Sequence, residues 1–381
     1  MTVTGSTERR ALLRAAAVAL LSLAACAHVK DQHYDLVIPP PPEPARYKLE
    51  HVYRSSEDYG GGSKAADIFL GKRSASEAQT LFKPFDVVSD GKGTVYVSDT
   101  AKPPRVAVFD DVKKEVRAIG VEGEGRLLMP LGLALGPDGA LYVADAKLKV
   151  VLRYDPTGKF ERTLGNPKDF ERPSSIAIDP TRKLLYVADT TGHRVRVLSL
   201  DDGRLVRTIG ERGAAPGKFN YPEGVAVGKD GKVYVVDSMN FRYQVFDPDG
   251  NFLETHGKIG QEPGAFARPK GIALDSDGHV YVSDAAFANV QVFDAQGRLL
   301  ILIGGPGAGP GQFQLAEGVS LDPADKLFVV DQYNKRVQRF AYLHVAEPAP
   351  GGAAGKDPGA SAPAAAPAAS GSAATAPGSS R

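Results

Sequence analysis

Short runs of apolar residues alternate with polar turns along most of the chain, and the same alternation returns at a nearly constant interval. One copy reads PEGVAVGKDGKVYVVD and ends at Asp237, and another reads PKGIALDSDGHVYVSD and ends at Asp284. Six copies align on a closing aspartate, with steps of 46, 44, 48, 47 and 47 residues between them. The closing aspartates are Asp99, Asp145, Asp189, Asp237, Asp284 and Asp331. A period of this length indicates one structural unit that is repeated six times.

Each copy predicts four short antiparallel strands. In the copy that ends at Asp237, GVAV forms the first strand and VYVVD the second, with a glycine-containing turn between them. RYQVF and NFLETH follow as the third and fourth strands, again separated by a turn. The residues that open the copies are Pro84, Pro130, Pro173, Pro222, Pro269 and, in the sixth copy, Ala316.

The first two runs of each copy are apolar at nearly every position, which indicates strands that are covered on both faces. We therefore predict an all-β, six-bladed β-propeller of four-stranded antiparallel blades. An open solenoid is the competing arrangement, but it would require polar caps at its ends. The sixth copy stops after its third strand, and an unpaired strand at residues 46–54 precedes the first copy. This N-terminal strand is expected to complete the last blade and close the ring.

The repeated unit P-x-G-[VI]-A-[VL]-x-x-D-G-x-[VL]-Y-V-x-D resembles the NHL repeat. A loop of the form GxxPGxF, present at residues 213–219, 260–266 and 307–313, supports the resemblance. The likeness covers residues 46–345 and implies a six-bladed NHL-type propeller. Such propellers include RNA-binding domains, sensor domains of receptor kinases, scaffold proteins and a zinc lyase of peptide amidation. The resemblance therefore implies a fold without choosing among these functions.

The N-terminus has the features of a bacterial lipoprotein signal peptide at residues 1–25. Three arginines give it a positive start, and the small and apolar stretch that follows is too short to span a bilayer. The segment ends in LAAC, which resembles a lipobox, so lipid would be attached to Cys26. Cys26 is the one cysteine of the chain, although a chance cysteine in a signal peptide is the alternative interpretation. We expect export and a lipid anchor in a bacterial membrane, on its periplasmic or outer-membrane face.

Three further segments lie outside the repeat. Residues 26–45 contain the run IPPPPEPA and are expected to form an extended linker between the membrane and the propeller. Residues 55–83 do not follow the repeat and are expected to form a short helix or a covering flap. In residues 346–381, 31 of 36 positions are Ala, Pro, Gly or Ser, so this tail has too little large apolar surface to fold and is predicted to be disordered.

The charge balance narrows the range of partners. The chain carries 46 basic and 45 acidic side chains, for a formal net charge of +1. No bulk electrostatic field favours nucleic acid, and we expect none as a partner. A membrane is expected to be contacted through the lipid on Cys26 instead.

The closing aspartates are predicted to have a structural role. In three copies an arginine follows five residues later, and Asp99 has Arg105 at a spacing of six. Since the aspartate ends the second strand and the arginine begins the third, an ion pair between them would fix the corner of the blade. The three pairs are Asp189 with Arg194, Asp237 with Arg242, and Asp331 with Arg336. Val150 and Asn289 replace the arginine in the remaining two copies.

An enzyme that uses the central channel is the alternative to a binding protein. A zinc lyase needs three converging ligands, and the histidines within the repeats are His193, His256 and His279. The first two belong to one rim of a propeller and His279 to the opposite rim, so the three do not converge. A lactonase-type propeller would use carboxylates at the axis, for which Glu223 and Glu317 are candidates that nothing marks as a pair. We predict no catalytic residue, metal or other cofactor, with a metal-assisted hydrolase or lyase as the alternative.

The residues on either side of each opening position are expected to ring the propeller axis. This ring mixes apolar and charged side chains, which are Lys83, Phe85, Met129, Leu131, Arg172, Ser174, Tyr221, Glu223, Arg268, Lys270, Leu315 and Glu317. Exposed aromatics beside charged groups are typical of protein-binding patches, and an ordinary mixed surface is the other interpretation. The preferred binding site consists of Arg172, Tyr221, Glu223, Arg268, Lys270 and Glu317. We predict a non-catalytic binding or scaffold module of the cell envelope that recognises a protein partner.

Overall fold

The computed structural model of the chain describes residues 33–59 and 79–343. In these residues, 25 strands form six antiparallel sheets around a central channel. Each sheet is one blade, and in each blade the first strand of the copy is the innermost. The predicted all-β, six-bladed propeller is confirmed.

Blades 1 to 5 each contain four consecutive strands. Blades 1 and 2 comprise β3 (Pro84–Ser89), β4 (Thr94–Asp99), β5 (Arg105–Asp110), β6 (Glu115–Ile119), β7 (Pro130–Leu135), β8 (Leu141–Asp145), β9 (Val150–Tyr154) and β10 (Phe160–Leu164). Blades 3 and 4 comprise β11 (Pro173–Asp179), β12 (Leu184–Asp189), β13 (Arg194–Ser199), β14 (Leu205–Ile209), β15 (Pro222–Val227), β16 (Val233–Asp237), β17 (Arg242–Phe246) and β18 (Phe252–His256). Blade 5 comprises β19 (Pro269–Leu274), β20 (Val280–Asp284), β21 (Asn289–Phe293) and β22 (Leu299–Ile303).

Blade 6 joins the two ends of the propeller. Its strands from the axis outward are β23 (Ala316–Leu321), β24 (Leu327–Asp331), β25 (Arg336–Tyr342), β2 (Tyr47–Tyr53) and β1 (Val37–Ile38). The N-terminal strand β2 pairs antiparallel with β25, which is the closure that the sequence predicts. The inner strand of blade 6 contacts the inner strand of blade 1, so the ring is closed and the open solenoid is excluded.

The hydrophobic core lies between neighbouring blades. Between blades 1 and 2, for example, Val106 and Val108 pack against Leu133 and Val143, and all four side chains are buried. Equivalent clusters occupy the other blade boundaries, which explains why the inner runs are apolar at nearly every position.

The described part of the proline-rich linker packs on blade 6. Val37 and Ile38 pair with Lys48 and Tyr47 and thereby add a fifth strand to the blade. Tyr34 and Leu36 also pack against the cluster under this blade. The packed region therefore begins before residue 46, and residues 33–45 differ in this respect from the expected extended spacer.

A polar cluster fastens the closing strand to blade 1. The hydroxyls of Tyr53 and Tyr59 donate hydrogen bonds to the two carboxylate oxygens of Asp111, at 2.8 and 2.5 Å. Arg339 of β25 pairs with the same carboxylate at 2.6 Å. Tyr59 belongs to a 3-10 turn, Ser56–Tyr59, which is the one described helical element of the segment at residues 55–83. Positions 60–78 of that segment lie outside the described residues.

Several predictions from the sequence concern parts of the chain outside the described residues. These parts are the signal peptide at residues 1–25, the lipidation site Cys26 and the tail at residues 346–381. Within residues 33–59 and 79–343, no helix has the length and apolar character needed to cross a membrane.

Candidate binding site at the channel mouth

The channel has two different ends. All six inner strands begin at the end that we call the upper mouth, where the opening residue of each strand pairs with the closing aspartate, as Pro222 does with Asp237. The hairpins between the first and second strands form the opposite end, the lower mouth. The channel holds a cavity of about 840 Å³, lined by residues from the inner strands of all six blades.

The closing aspartates are fully buried and tie each blade corner to the loop before the next inner strand. The carboxylate of Asp237, for example, accepts the backbone N–H of Asn220 at 2.6 Å and pairs with Arg242 at 2.8 Å. The arginine contact is present in all four copies that carry the arginine, at 3.1 Å for Asp99 with Arg105, 3.0 Å for Asp189 with Arg194, and 2.8 Å for Asp331 with Arg336.

The two copies without an arginine use backbone donors in its place. The Asp145 carboxylate accepts the N–H groups of Lys147 and Leu148 from the loop that follows it, at 3.0 and 2.9 Å. Asp284 accepts those of Ala286 and Phe287 at 2.9 and 3.1 Å. Because a buried carboxylate needs hydrogen-bond donors, one corner geometry is maintained with either set.

The structure divides the predicted ring into two tiers. Five of the six residues before the opening position form an outer tier on the surface of the upper mouth, where Tyr221 and Arg268 are exposed and Arg172 is half-buried; the sixth, Leu315, is buried. The residues after it point inward, and those that line the channel are Phe85, Glu223, Lys270 and Glu317. Leu131 and Ser174 of this inner tier are buried, so the twelve residues do not form one exposed ring.

The inner tier places charged side chains at the upper end of the channel. Glu223 of blade 4 and Lys270 of blade 5 form an ion pair at 3.1 Å across the boundary of their blades. Glu317 of blade 6 is 7% exposed. Among the described residues, its carboxylate has no hydrogen-bond donor and no ion-pair partner. Burial raises the pKa of Glu317; the positive charge of Lys270 opposes this, and the negative charge of Glu223 adds to it.

Asp86, which was not predicted from the sequence, joins Glu223, Lys270 and Glu317 as a charged residue near the upper end of the channel. Its carboxylate accepts the N–H of Leu133 from the next blade and that of Val87, both at 2.9 Å. The partly exposed side chain faces the channel, and burial together with the charge of Glu317 raises its pKa to about 7.

A departure from the repeat could have revealed Asp86. Its position is glycine in four other copies, as in PEG and PKG. At Gly224 a Cβ atom would lie 2.6 Å from the carbonyl oxygen of Lys270, because inner strands of adjacent blades approach closely there. A charged side chain at such a position indicates a specific role for that blade.

Tyr221 differs from the other outer-tier residues in its backbone conformation. Its φ of +56° lies in the left-handed region, which is uncommon for a residue with a bulky side chain. Its backbone N–H donates a hydrogen bond to Nδ1 of His193 at 3.2 Å. The corresponding N–H of Met129 donates to the carboxylate of the closing aspartate Asp145. The His193 ring packs edge-on against the Tyr221 ring, at 4.6 Å between centroids. Strain of this kind is concentrated at functional sites.

Large apolar side chains are exposed around the upper mouth. We call this set the apolar rim; its members are Phe82, Met129, Tyr221, Met239 and Tyr333, with exposures of 38, 36, 40, 52 and 66%. Phe82 and Met129 precede inner strands, and Met239 and Tyr333 lie in the loops after second strands.

The loops beside the rim are held by side-chain hydrogen bonds. Gln244 of β17 accepts the N–H of Gly217 and donates to the carbonyl of Lys218, both at 2.8 Å. Gln291 and Gln338 hold the next two GxxPGxF loops in the same way. The upper mouth is therefore built on fixed loops.

The candidate metal ligands do not converge. His193 bonds Tyr221 at the upper mouth, His256 contacts Glu254 at 3.0 Å on an outer strand, and His279 contacts Asp275 at 2.7 Å at the lower mouth. Across residues 33–59 and 79–343, no group of three His, Cys, Asp or Glu side chains is placed to hold a metal ion.

These features define the class of the protein as a closed six-bladed β-propeller with a charged channel and an apolar rim. Comparison with known families finds two matching family models. The profile of the NHL repeat matches residues 219–246 and 266–293, and that of the teneurin NHL domain matches residues 113–207. The chain is therefore a six-bladed β-propeller that matches the NHL repeat at these residues, in agreement with its repeat motif.

Named relatives match over part of their length. NHL repeat-containing protein 3 of Mus musculus is 32% identical over 109 residues, which cover 26% of this chain and 31% of the relative. Peptidyl-glycine alpha-amidating monooxygenase of Mus musculus is 26% identical over 158 residues, covering 38% of this chain and 16% of the relative. The chain thus spans less than a third of the length of either relative.

A solved structure with the same fold is a gluconolactonase from Xanthomonas campestris. The two chains superpose with a TM-score of 0.55 at 17% sequence identity, over 69% of this chain and 87% of the other. At this identity the likeness shows the fold alone.

Proposed function

We propose that this chain is an exported lipoprotein of the cell envelope whose propeller binds a protein partner at the upper mouth, without catalysis. The observation that carries the proposal is the apolar rim. Aromatic side chains, methionine and arginine are enriched in the cores of protein interfaces. All of these residue types surround the upper mouth, with Arg172 and Arg268 beside Tyr221.

The rigidity of this surface also supports a binding role. The buried corner aspartates and the three glutamine side chains hold the loops of the upper mouth in one conformation. A surface that is already ordered loses little conformational entropy when a partner binds.

The partner site is tested by cross-linking in intact envelopes. Tyr221→Ala and Arg268→Gln remove exposed side chains from the outer tier, and we expect each to abolish one specific cross-linked species. Lys229→Gln at the lower mouth is the matched control and should leave that species unchanged. If both outer-tier variants retain every species of the wild type, the assignment of the site is wrong.

The membrane anchor is tested separately. We expect a Cys26→Ser variant to be recovered in the soluble fraction of the envelope, and the wild type to carry lipid on its first mature residue. Mass spectrometry of the purified chain measures the modification directly. An unmodified wild-type Cys26 that is retained in the mature chain would contradict the lipoprotein assignment.

A channel-centred hydrolase or lyase is the second candidate function, and Asp86 is the observation that favours it. A carboxyl group whose pKa lies at about 7 can exchange a proton at neutral pH, as a general acid or base must. This candidate predicts turnover of lactones or related esters that Asp86→Asn abolishes and that Glu171→Gln leaves intact, because Glu171 is exposed and does not line the channel. Equal turnover by wild type and Asp86→Asn would remove this candidate.

A further inference from the structure

The upper mouth contains a buried acid that its neighbours leave unpaired. Glu317 lines the channel at 7% exposure, and among the described residues its carboxylate has no hydrogen-bond donor or ion-pair partner. The nearest channel cation, Lys270, is held by Glu223 at 3.1 Å. The Glu317 oxygens are not among the fully enclosed unpaired atoms of the described residues, so they are accessible from the channel, where a ligand of opposite charge can pair with them.

Two arginines of the outer tier, Arg172 and Arg268, place positive charge above this acid. Arg172 is half-buried and Arg268 is exposed, and neither guanidinium has a hydrogen-bond or ion-pair partner among the described residues. Both are close enough to influence Glu317 electrostatically. The upper mouth therefore presents unpaired cations outside and an unpaired acid inside.

The inner strands form the channel wall below the acid. Their aliphatic side chains are 0–6% exposed because they pack between the blades; these are Val87, Leu133, Ile176, Val225, Ile272 and Val319. Above the tier, Met129 and Tyr221 offer apolar surface to an alkyl chain that enters from outside.

We propose that the upper mouth binds a lysine side chain of its partner, with the ammonium group on Glu317 and a neighbouring carboxylate of the same partner on Arg172 and Arg268. This inference rests on the proposed binding function and names the anchor that the partner supplies. The carboxylate comes either from a C-terminal lysine or from an acidic residue beside an internal lysine. Bidentate contact with guanidinium suits a carboxylate in both cases.

Three small probes test the two charges independently by calorimetry at neutral pH. Nα-acetyl-lysine carries both charges, Nα-acetyl-norleucine lacks the ammonium group, and Nα-acetyl-lysine methylamide lacks the carboxylate. We expect the first probe to bind the wild type about tenfold more tightly than either of the others, which corresponds to about 1.4 kcal/mol. An acetylated Lys-Glu amide, compared with Nα-acetyl-lysine, distinguishes an internal lysine from a C-terminal one.

The variants assign each preference to a residue. Glu317→Gln keeps the shape of the side chain and should remove the preference for the ammonium group, while the double variant Arg172→Gln, Arg268→Gln should remove the preference for the carboxylate. Glu171→Gln, a surface acid of blade 3, is the matched control and should retain both. Thermal unfolding of each variant establishes that it is folded.

Acid should weaken the binding of Nα-acetyl-lysine because protonated Glu317 no longer attracts an ammonium group. The charged groups that act on Glu317 are Lys270, Glu223, Arg268 and Arg172. The negative charge of Glu317 in turn raises the pKa of Asp86. Affinity should therefore fall as the pH is lowered through the raised pKa of Glu317, and Glu317→Gln should flatten the profile.

Two results would overturn the inference. One is equal affinity of the wild type for all three probes. The absence of saturable binding of every probe at about 20 mM counts as the same result. The other is an ammonium preference that survives in Glu317→Gln. Either result would leave the envelope cross-linking experiment unaffected, so failure of the lysine anchor and failure of the binding function are distinguishable.

Discussion

The two mouths of the channel come from the same repeat, but their charged side chains have different tasks. At the lower mouth each hairpin has an aspartate that accepts backbone N–H groups of its own turn; these are Asp90, Asp138, Asp179, Asp230, Asp275 and Asp322. At the upper mouth the buried corner aspartates likewise accept backbone N–H groups, as Asp237 does from Asn220. The exposed Arg268 and the enclosed Glu317 are consequently left without partners among the described residues.

The distribution of apolar surface follows the same division. The five members of the apolar rim surround the upper mouth, whereas Val112, in the hairpin after β5, is a large apolar side chain exposed towards the lower end. A surface whose polar groups are used for folding has few groups left for a partner. Because the structural carboxylates are buried, the surface of the upper mouth keeps exposed apolar side chains and an exposed unpaired Arg268.

The largest expected effect is the loss of a corner at the upper mouth. Asp331→Ala leaves the buried guanidinium of Arg336 without its carboxylate, and we expect a loss of about 3–5 kcal/mol in the free energy of unfolding. Urea denaturation measures this value. A loss below about 1 kcal/mol would show that the corner is not what holds the upper mouth.

The second prediction compares the acids of the two mouths by carboxyl NMR. The pKa of Asp86 should be about 7, because its partial burial in the channel wall and the negative charge of Glu317 both raise it. At the lower mouth burial alone would raise the pKa of Asp230, but the backbone N–H and the ammonium group of Lys232 hold it below its ordinary value. Similar midpoints for the two residues would remove the electrostatic contrast between the mouths.

The raised pKa of Asp86 also has a consequence for stability. Between its ordinary value of 3.8 and about 7, the folded state binds more protons than the unfolded state. The contribution of Asp86 to the free energy of unfolding is therefore fully present at low pH and is lost as the pH rises through this window. The stability of the wild type relative to Asp86→Asn should fall over the same range.

The third prediction concerns the unpaired acid itself. Glu317→Gln replaces a buried carboxylate, whose pKa burial raises, with a neutral group of the same shape. We expect this variant to be more stable than the wild type by about 1 kcal/mol at pH 8, with the difference vanishing in acid. A less stable variant at pH 8 would indicate that Glu317 supports the fold.

The smallest effect is expected at the lower mouth. Asp230→Ala removes the acceptor of the Lys232 N–H, at 3.0 Å, from one exposed turn. The free energy of unfolding should fall by about 0.5–1 kcal/mol, and the probe affinities should not change. A change in probe affinity would mean that the two mouths are coupled.

The fold was predictable because the repeat reports the packing directly. Every copy closes on a buried aspartate opposite its opening residue, so the spacing of Asp237 and Pro222 defines the strand register. The closing strand was predictable because the sixth copy lacks a fourth strand. The added strand β1 was not, since Val37 and Ile38 carry no repeat signal and pair only because β2 leaves an edge.

The site was less predictable because its properties depend on which way a side chain points. Tyr221 and Glu223 flank the same proline, yet one is exposed on the surface and the other lines the channel. Asp86 escaped attention because its importance comes from Leu133 and Glu317, which the topology brings to it from other blades. Non-local contacts of this kind have no spacing rule along the chain.

Site-specific photocross-linking in intact envelopes tests the central claim most directly. A photoreactive amino acid is placed at Tyr221 on the upper mouth or at Lys229 on the lower mouth, both of which are exposed. We expect one specific protein adduct from position 221 and none from position 229. An adduct from position 229 alone would contradict the claim.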